Sequence, residues 1–342
     1  VNKSAFARDA RRQRAASAAK AAWWTATGSL ARAIAPPTHP PTDRPKSPPP
    51  PRGYLRERLA EAFARDAADV AAGLYPAPDD GRVDPVRAVL RAADVVMDAR
   101  AVDARRQEGR SHLAEAASSP GFPRYYRQNF HHQTGGWFTD DSARRYEAQV
   151  EALFSGAAGP MRRRALALLA KAWRDRDHRG LAIVDLACGS GSFLADLAGA
   201  FPRARLLGAD LSLPYLLEAR RRSGAPGVQA AAERLPFADA SLDAVTCVYL
   251  FHELPPKART AVAAEIARVL KPGGLLAFAD SVQADDAPEA ARLLESFPEL
   301  FHEPYYDSYQ ATNLVALFEG AGLSFKDRDQ AFLTTALLFE KG

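Results

Sequence analysis

Val184-Asp185-Leu186-Ala187-Cys188-Gly189-Ser190-Gly191-Ser192-Phe193 carries a short apolar run to an acid and then turns, over two glycines, into a helical pattern. Glycines at such a turn let a ligand approach the backbone, and the free N–H groups at the helix start can receive an anionic group. Nineteen residues after Gly191, the run Leu207-Gly208-Ala209-Asp210-Leu211 again ends in an acid. A carboxylate at the end of a second strand faces the crevice of a nucleoside-binding α/β sheet and can take both hydroxyls of a ribose. Outward from this pair, short apolar runs alternate with helical patterns. Strands are expected over 181–187, 204–209, 227–231, 244–250, 275–280, 323–328 and 332–339, with helices over 192–200, 214–222, 257–270 and 310–321. That alternation is the mark of βαβ units in a mainly parallel sheet.

Two ligand classes compete for the turn. A dinucleotide fold places a third glycine at position 194 so that the helix packs closely beside a pyrophosphate, and this chain has Leu194. The carboxylate of Asp185 would also repel a pyrophosphate but attract an ammonium. A ligand with ammonium, carboxylate, ribose and base is S-adenosylmethionine. The bland alternative is a structural strand-to-helix corner, against which the register of Asp185, Asp210 and the blocks below argues.

Residues 185–193 resemble the glycine-rich first motif of class I S-adenosylmethionine-dependent methyltransferases. Further blocks are similar to the ubiquinone/menaquinone C-methyltransferase-like branch: Glu233-Arg234-Leu235-Pro236-Phe237-Ala238-Asp239 with Ser241-Leu242-Asp243-Ala244-Val245, and Arg268-Val269-Leu270-Lys271-Pro272-Gly273-Gly274. The resemblance covers about residues 181–340. It implies a Rossmann-like, seven-stranded, mostly parallel sheet with the last strand antiparallel, and S-adenosylmethionine as cofactor. The cofactor would be held by Asp185, Ala187, Cys188, Gly189, Ser190, Gly191, Asp210, Leu211, Ala232, Glu233 and Tyr249. The branch commonly has an acid two positions before Glu233, where this chain has Ala231. Adenine recognition is therefore expected to rest on backbone near Ala232 and Glu233 and on contact with Leu211 and Leu235. The segment from Tyr125 to Trp137, YYRQNFHHQTGGW, resembles the N-terminal block of a bacterial and plant subgroup with this domain.

Individual candidates carry competing readings. His252 follows the fourth strand at the carboxyl edge, where it is either the catalytic base or a residue that orders the loop. Tyr126, His131, His132, Gln133 and Tyr305 are expected as lid or substrate residues, with Gly135 and Gly136 as a hinge; interdomain packing is the alternative. Cys188 is read as a small lining side chain rather than a thiolate, and Cys247 as core. No metal site is expected, because His131 and His132 have no Cys or third His near them in sequence, and neither His252-Glu253 nor His302-Glu303 has zinc-motif spacing. The run Arg162-Arg163-Arg164 is read as a solvated face.

Upstream, residues 36–51 hold nine prolines in sixteen positions, a stiff spacer that cannot build a core. Residues 1–60 carry 12 basic and 3 acidic side chains, whereas the remaining 282 hold 33 and 38, so the basic balance belongs to the tail. The body has no broad positive field of the kind nucleic acid demands. The expected organisation is a disordered basic and Pro-rich tail over 1–52, a mainly helical cap or lid over 53–160, and the methyltransferase domain over 161–342. The Arg-, Ala- and Ser-rich start with its single acid Asp9 also resembles an organellar transit peptide, and Arg11-Arg12 an export signal. With two cysteines and no apolar run of membrane length, a cytoplasmic transferase without a membrane span is expected. Its reaction would be methyl transfer to an O, N or C nucleophile of a small-molecule acceptor. The different-class alternative is a non-catalytic S-adenosylmethionine-binding sensor or assembly factor.

Overall fold

The computed structural model describes residues 3–34, 45–78, 85–108 and 121–342. Residues 36–44 of the expected spacer, and 79–84 and 109–120 of the expected cap, lie outside the described residues.

Helix α1 (Lys3–Ile34) is followed by α2 (Tyr54–Ala71), α3 (Pro85–Gln107), α4 (Asp140–Leu153) and α5 (Ala158–Ala172). The sheet region then runs β1 (Ala182–Leu186), α6 (Ser192–Ala200), β2 (Arg205–Asp210), α7 (Leu213–Ser223), β3 (Gly227–Gln229), β4 (Leu242–Val248), α8 (Pro256–Val269) and β5 (Leu270–Ser281). It closes with α9 (Ala291–Phe301), α10 (Tyr306–Gln310), α11 (Leu314–Gly320), β6 (Leu323–Ala331) and β7 (Thr334–Lys341). The spatial order is β3-β2-β1-β4-β5-β7-β6. β1 to β5 pair in parallel and β7 runs antiparallel between β5 and β6, as the resemblance implied. The order reverses between β1 and β4, which places the ligand crevice at their carboxyl ends.

Alternation along the central strands explains why both faces are covered. Leu276 and Phe278 of β5 and Leu337 and Phe339 of β7 join one buried cluster with Val262 and Ile266 of α8 and Phe318 of α11. The intervening Ala277, Ala279 and Ala336 join the cluster on the other face, with Leu166, Leu168 and Leu169 of α5 and Leu194 and Leu197 of α6. Small side chains on that second face leave room for α5, whose residues from Ala158 to Ala170 are all buried. Gly191 is demanded by packing: it has φ +79°, and a Cβ there would lie 2.5 Å from Ala219 Cα on α7.

The structure corrects the expectation of a disordered tail for residues 3–34. This Ala-rich stretch is helix α1, packed on α2, α3 and α4. Gln13, Ser17, Lys20, Trp24 and Thr27 recur at spacings of three and four and form its buried stripe. Three of the five are polar and one is charged, so the stripe shows no apolar periodicity, yet each of two finds a partner on the body. Gln13 Nε2 donates to Asp66 Oδ2 at 3.3 Å, and Lys20 Nζ lies 2.8 Å from Glu151 Oε1 with both side chains nearly inaccessible. The end of the spacer is also docked, since Ser47 donates through N and Oγ to the carboxylate of Glu295. Deleting residues 1–34 is therefore expected to lower the melting temperature by several degrees, because it uncovers Ala148 and Ala152 and leaves Glu151 without its lysine. Differential scanning calorimetry checks this; an unchanged transition would show that α1 adds nothing.

Candidate functional site

A cavity with about 1070 Å³ of empty space opens at the carboxyl ends of β1, β2 and β4. Its floor is the turn after β1: Ala187, Cys188, Gly189 and Ser190 line it together with Asp185, Asp210, Leu211, Ala232 and Tyr249. Gly191 stands just behind, as the N-cap of α6. Ala187 and Tyr249 both have positive φ, 56° and 58°, so the chain leaves β1 and β4 in strained conformations that only a fixed surrounding maintains. At Gly189, φ is +53° and a Cβ would meet no atom within 4 Å, so that side of the turn stands open.

Two carboxylates dominate the polar chemistry. Asp185 Oδ1 accepts from Thr246 Oγ1 at 2.7 Å, while Oδ2 is buried without a hydrogen-bond partner. Burial raises its pKa to about 7, against the opposing Thr246 bond. Asp210 accepts from Ser212 N at 2.8 Å and Gly189 N at 2.9 Å, which locks the end of β2 to the glycine turn. Burial raises it to about 6 despite those two bonds. Arg162 and Glu147 line the wall and pair with each other. Burial alone would push Glu147 up, but the Arg162 guanidinium holds it well below the usual range. Cys188 is buried and its thiol pushed up, as a lining residue and not a thiolate.

The aromatic segment before α4 forms the cavity's roof, through Tyr126 among the expected lid residues but not through His131, His132 or Gln133. Tyr125, Tyr126, Phe130 and Trp137 face the cavity beside Tyr146 of α4 and Tyr215 of α7. Thr139 caps α4, the helix that carries Tyr146, by accepting from Ser142 N at 3.2 Å. Gln133 is directed into the cap, where Nε2 donates to Ser142 Oγ and Tyr215 Oη. His132 is buried beside the ring of His302, and burial together with Arg106 pushes its pKa down to about 4. His131 reaches away from the turn toward Glu303 and Glu253. Tyr305 does not line the cavity; its carbonyl accepts from Arg259 Nη2 at 2.7 Å. Glu233 also stands behind the wall, where its Oε1 accepts from Tyr125 Oη at 2.5 Å.

His252 is placed otherwise than a general base requires. It is not part of the cavity lining, and its Nδ1 lies 2.6 Å from Asp280 Oδ1. Burial would lower its pKa, but the Asp280 carboxylate raises it to about 10, so the ring keeps its proton at neutral pH. Asp280 also accepts from Phe251 N at 2.8 Å, so the pair orders the loop after β4. The neighbour Glu253 does line the cavity, with Tyr249, Leu250 and Leu254 of the same loop.

The expected solvated arginine run is corrected as well. All three arginines are buried: Arg162 pairs with Glu147, Arg163 with Asp66 and Asp196, and Arg164 with Asp69 and Asp329. Their acidic partners on α2 and β6 are far off in sequence, so the run alone gives no sign of burial. The other quoted blocks brace the site instead of lining it. Arg268 donates to the carbonyls of Leu235 and Phe237 and pairs with Glu265, which accepts from Leu235 N at 2.6 Å.

A parallel sheet with its switch point at β1/β4, a glycine turn and an acid ending β2 defines a nucleoside-cofactor-binding α/β protein. Residues 184–278 match the family described as a methyltransferase domain. Over that region the chain resembles class I S-adenosylmethionine-dependent methyltransferases of the ubiquinone/menaquinone C-methyltransferase-like branch. The chain is similar to the ubiquinone/menaquinone biosynthesis C-methyltransferase UbiE of Desulfotalea psychrophila, 35% identical over 122 residues that cover 35% of this chain and 47% of that protein. It is 36% identical over 150 residues to the demethylmenaquinone methyltransferase of Beutenbergia cavernae, covering 44% and 58%. The fatty-acid O-methyltransferase of Mycolicibacterium smegmatis is 35% identical over 125 residues, covering 36% and 45%. The chain thus spans about half the length of the curated relatives it matches. Among solved structures, magnesium protoporphyrin IX methyltransferase from Synechocystis PCC 6803 with bound cofactor aligns at a TM-score of 0.40 and 15% identity, over 54% of this chain and 81% of that one.

Proposed function

We propose that this protein is an S-adenosylmethionine-dependent methyltransferase that acts on an O, N or C nucleophile of an apolar small-molecule acceptor. The observation that carries the reading is the buried, unpartnered Oδ2 of Asp185 beside the glycine turn, with Asp210 fixed at the end of the next strand. A buried acceptor without a donor is costly, and an ammonium would satisfy it. In this reading Arg162 and the N-terminus of α6 face the amino-acid carboxylate, and Asp210 accepts from the ribose hydroxyls. Ala230, Ala232, Leu211 and Leu254 give the base an apolar slot.

When bound, S-adenosylmethionine supplies the methyl group already activated as a sulfonium. The chain then mainly has to align the acceptor and exclude water, and alignment alone can be worth roughly 7–11 kcal/mol of the barrier. Tyr126, Phe130, Trp137, Tyr146 and Tyr215 do both, with ring faces that favour a nearby cation by about 0.5–2 kcal/mol. The same aromatic wall supports an apolar acceptor, and the relatives named for menaquinone and fatty-acid methylation agree with that class. Two free, buried cysteines suit a reducing compartment, and the cytoplasm is the proposed location. Among the described residues no helix is long and apolar enough to cross a membrane.

The test is turnover. Incubated with methyl-labelled S-adenosylmethionine and a pool of lipophilic phenols, quinols and fatty acids, the intact chain should release S-adenosylhomocysteine and a labelled product. Tight cofactor retention with no product from any pool would favour the sensor reading instead.

Cofactor affinity should also depend on pH. An ammonium favours ionised Asp185, whose pKa is about 7 without it, so affinity is full above pH 7 and falls as Asp185 becomes protonated below it. Asp210, at about 6, adds to the loss in the same direction. Calorimetric titrations at pH 8, 7 and 6 should show the decline, up to about tenfold per unit below pH 7. A flat profile would mean that Asp185 faces no cation.

A further inference from the structure

The roof, the loop after β4 and the segment after α9 bring three metal-binding side chains together at the cavity's edge. His131 comes from the turn Phe130–His132, Glu253 from the turn Phe251–Glu253, and Glu303 follows α9. His131 Nε2 lies 3.3 Å from Glu303 Oε1 and 3.7 Å from Glu253 Oε1, and one donor atom from each of the three lies within 4.8 Å of the others. Two donors bound to one ion at about 2.1 Å stand roughly 3.0–3.4 Å apart in octahedral or tetrahedral geometry, close to the 3.3 Å and 3.7 Å from His131 Nε2 to the two carboxylates.

A second observation points to a missing cation. The side chain of Glu303 is fully buried, and among the described residues neither of its carboxylate oxygens receives a hydrogen bond. Buried carboxylates are ordinarily paired, hydrogen-bonded or bound to metal. His131 faces it but also faces Glu253, so one imidazole stands between two carboxylates. The rings of Trp137 and Phe301 pack edge-on to that imidazole and hold its orientation. His252 is engaged with Asp280 and is not a member of the set.

We propose that His131, Glu253 and Glu303 form a binding site for a first-row divalent transition-metal ion, with coordination positions left open toward the cavity. The imidazole disfavours Mg²⁺ and Ca²⁺, and the lack of a thiolate disfavours Cu(I), which leaves ions such as Zn²⁺ and Mn²⁺. Three protein ligands are the usual complement of a site that keeps a position for water or substrate. Glu253 borders the cavity, so the open position would face a bound oxygen ligand such as a hydroxyl or carbonyl of the acceptor. The expectation of no metal rested on neighbours along the chain, and here the two carboxylates lie more than a hundred residues from the histidine.

The proposal is tested on metal binding itself, independently of methyl transfer. Tag-free, chelator-dialysed full-length chain is titrated with Mn²⁺, with the loss of the free-ion electron paramagnetic resonance signal as the readout, and Zn²⁺ is then added as competitor. The expected result is one Mn²⁺ per chain, displaced by one Zn²⁺, with affinity at least tenfold weaker in Glu303→Gln and His131→Gln. If a variant does not fold by circular dichroism, Glu253→Gln, on the cavity border, takes its place. Absence of stoichiometric binding of either ion, or folded variants that bind as the wild type does, would overturn the proposal.

Discussion

Replacing Asp66 by alanine is expected to lower stability by about 3–5 kcal/mol, because it takes a bidentate carboxylate away from a buried guanidinium. Asp66 is inaccessible on α2 and receives Arg163 Nε at 2.7 Å and Nη2 at 2.9 Å, a bidentate pair between side chains that are 0% and 1% exposed. Tyr75 Oη adds a third bond at 3.0 Å and Gln13 of α1 a fourth at 3.3 Å, so one carboxylate joins α1, α2 and α5. Arg163 also pairs with Asp196 at 3.3 Å, but that acid is partly exposed. Denaturant titration of Asp66→Ala should show the midpoint falling with the slope unchanged. A loss below about 1 kcal/mol would show that the cap and the sheet are held by apolar packing alone. The double replacement Asp66→Leu with Arg163→Met should recover much of the loss, since a buried ion pair is worth little against well-packed hydrophobic residues.

The second large effect is on cofactor affinity. Asp210→Ala removes charge-assisted bonds worth about 1.5–3 kcal/mol, a roughly tenfold to hundredfold loss in binding of S-adenosylmethionine. The structure adds a reason: Asp210 also holds Gly189 N and Ser212 N, so alanine frees both the glycine turn and the start of α7. Asp210→Asn retains an acceptor oxygen, so it should bind better than alanine but worse than the native acid. Calorimetry on both variants checks the order, and native affinity in Asp210→Ala would remove the ribose from this position.

The sheet was legible because strand and turn signals are local. Asp185, the two glycines and Asp210 lie within 26 residues, and their spacing alone sets the crevice. Strand ends shifted where the sheet continues past its apolar run: β5 was expected from 275 and starts at Leu270. The helix expected over 310–321 is two pieces, because Asn313 Oδ1 accepts from Ala316 N at 2.9 Å and begins a new helix. What was not legible depends on partners distant in sequence. Arg162 to Arg164 read as surface until Glu147, Asp66, Asp69 and Asp329 are brought to them. The buried stripe of α1 is polar, so its periodicity carried no hydrophobic signal. His252 stood at the right edge of the sheet, but whether its ring faces the ligand or Asp280 is decided by a side chain 28 residues away. Glu147 on the cavity wall could have been found as an acid one residue past Tyr146 on the inward face of a capped helix.

The proposed methyl transfer requires a pocket that takes an ammonium and a ribose and not a pyrophosphate. Calorimetric titration of the intact chain at pH 8 with S-adenosylmethionine, S-adenosylhomocysteine and NAD⁺ tests that directly. One-site binding of the first two, with no binding of NAD⁺, is the result predicted by Asp185 and Leu194. Binding of NAD⁺ without S-adenosylmethionine would contradict it.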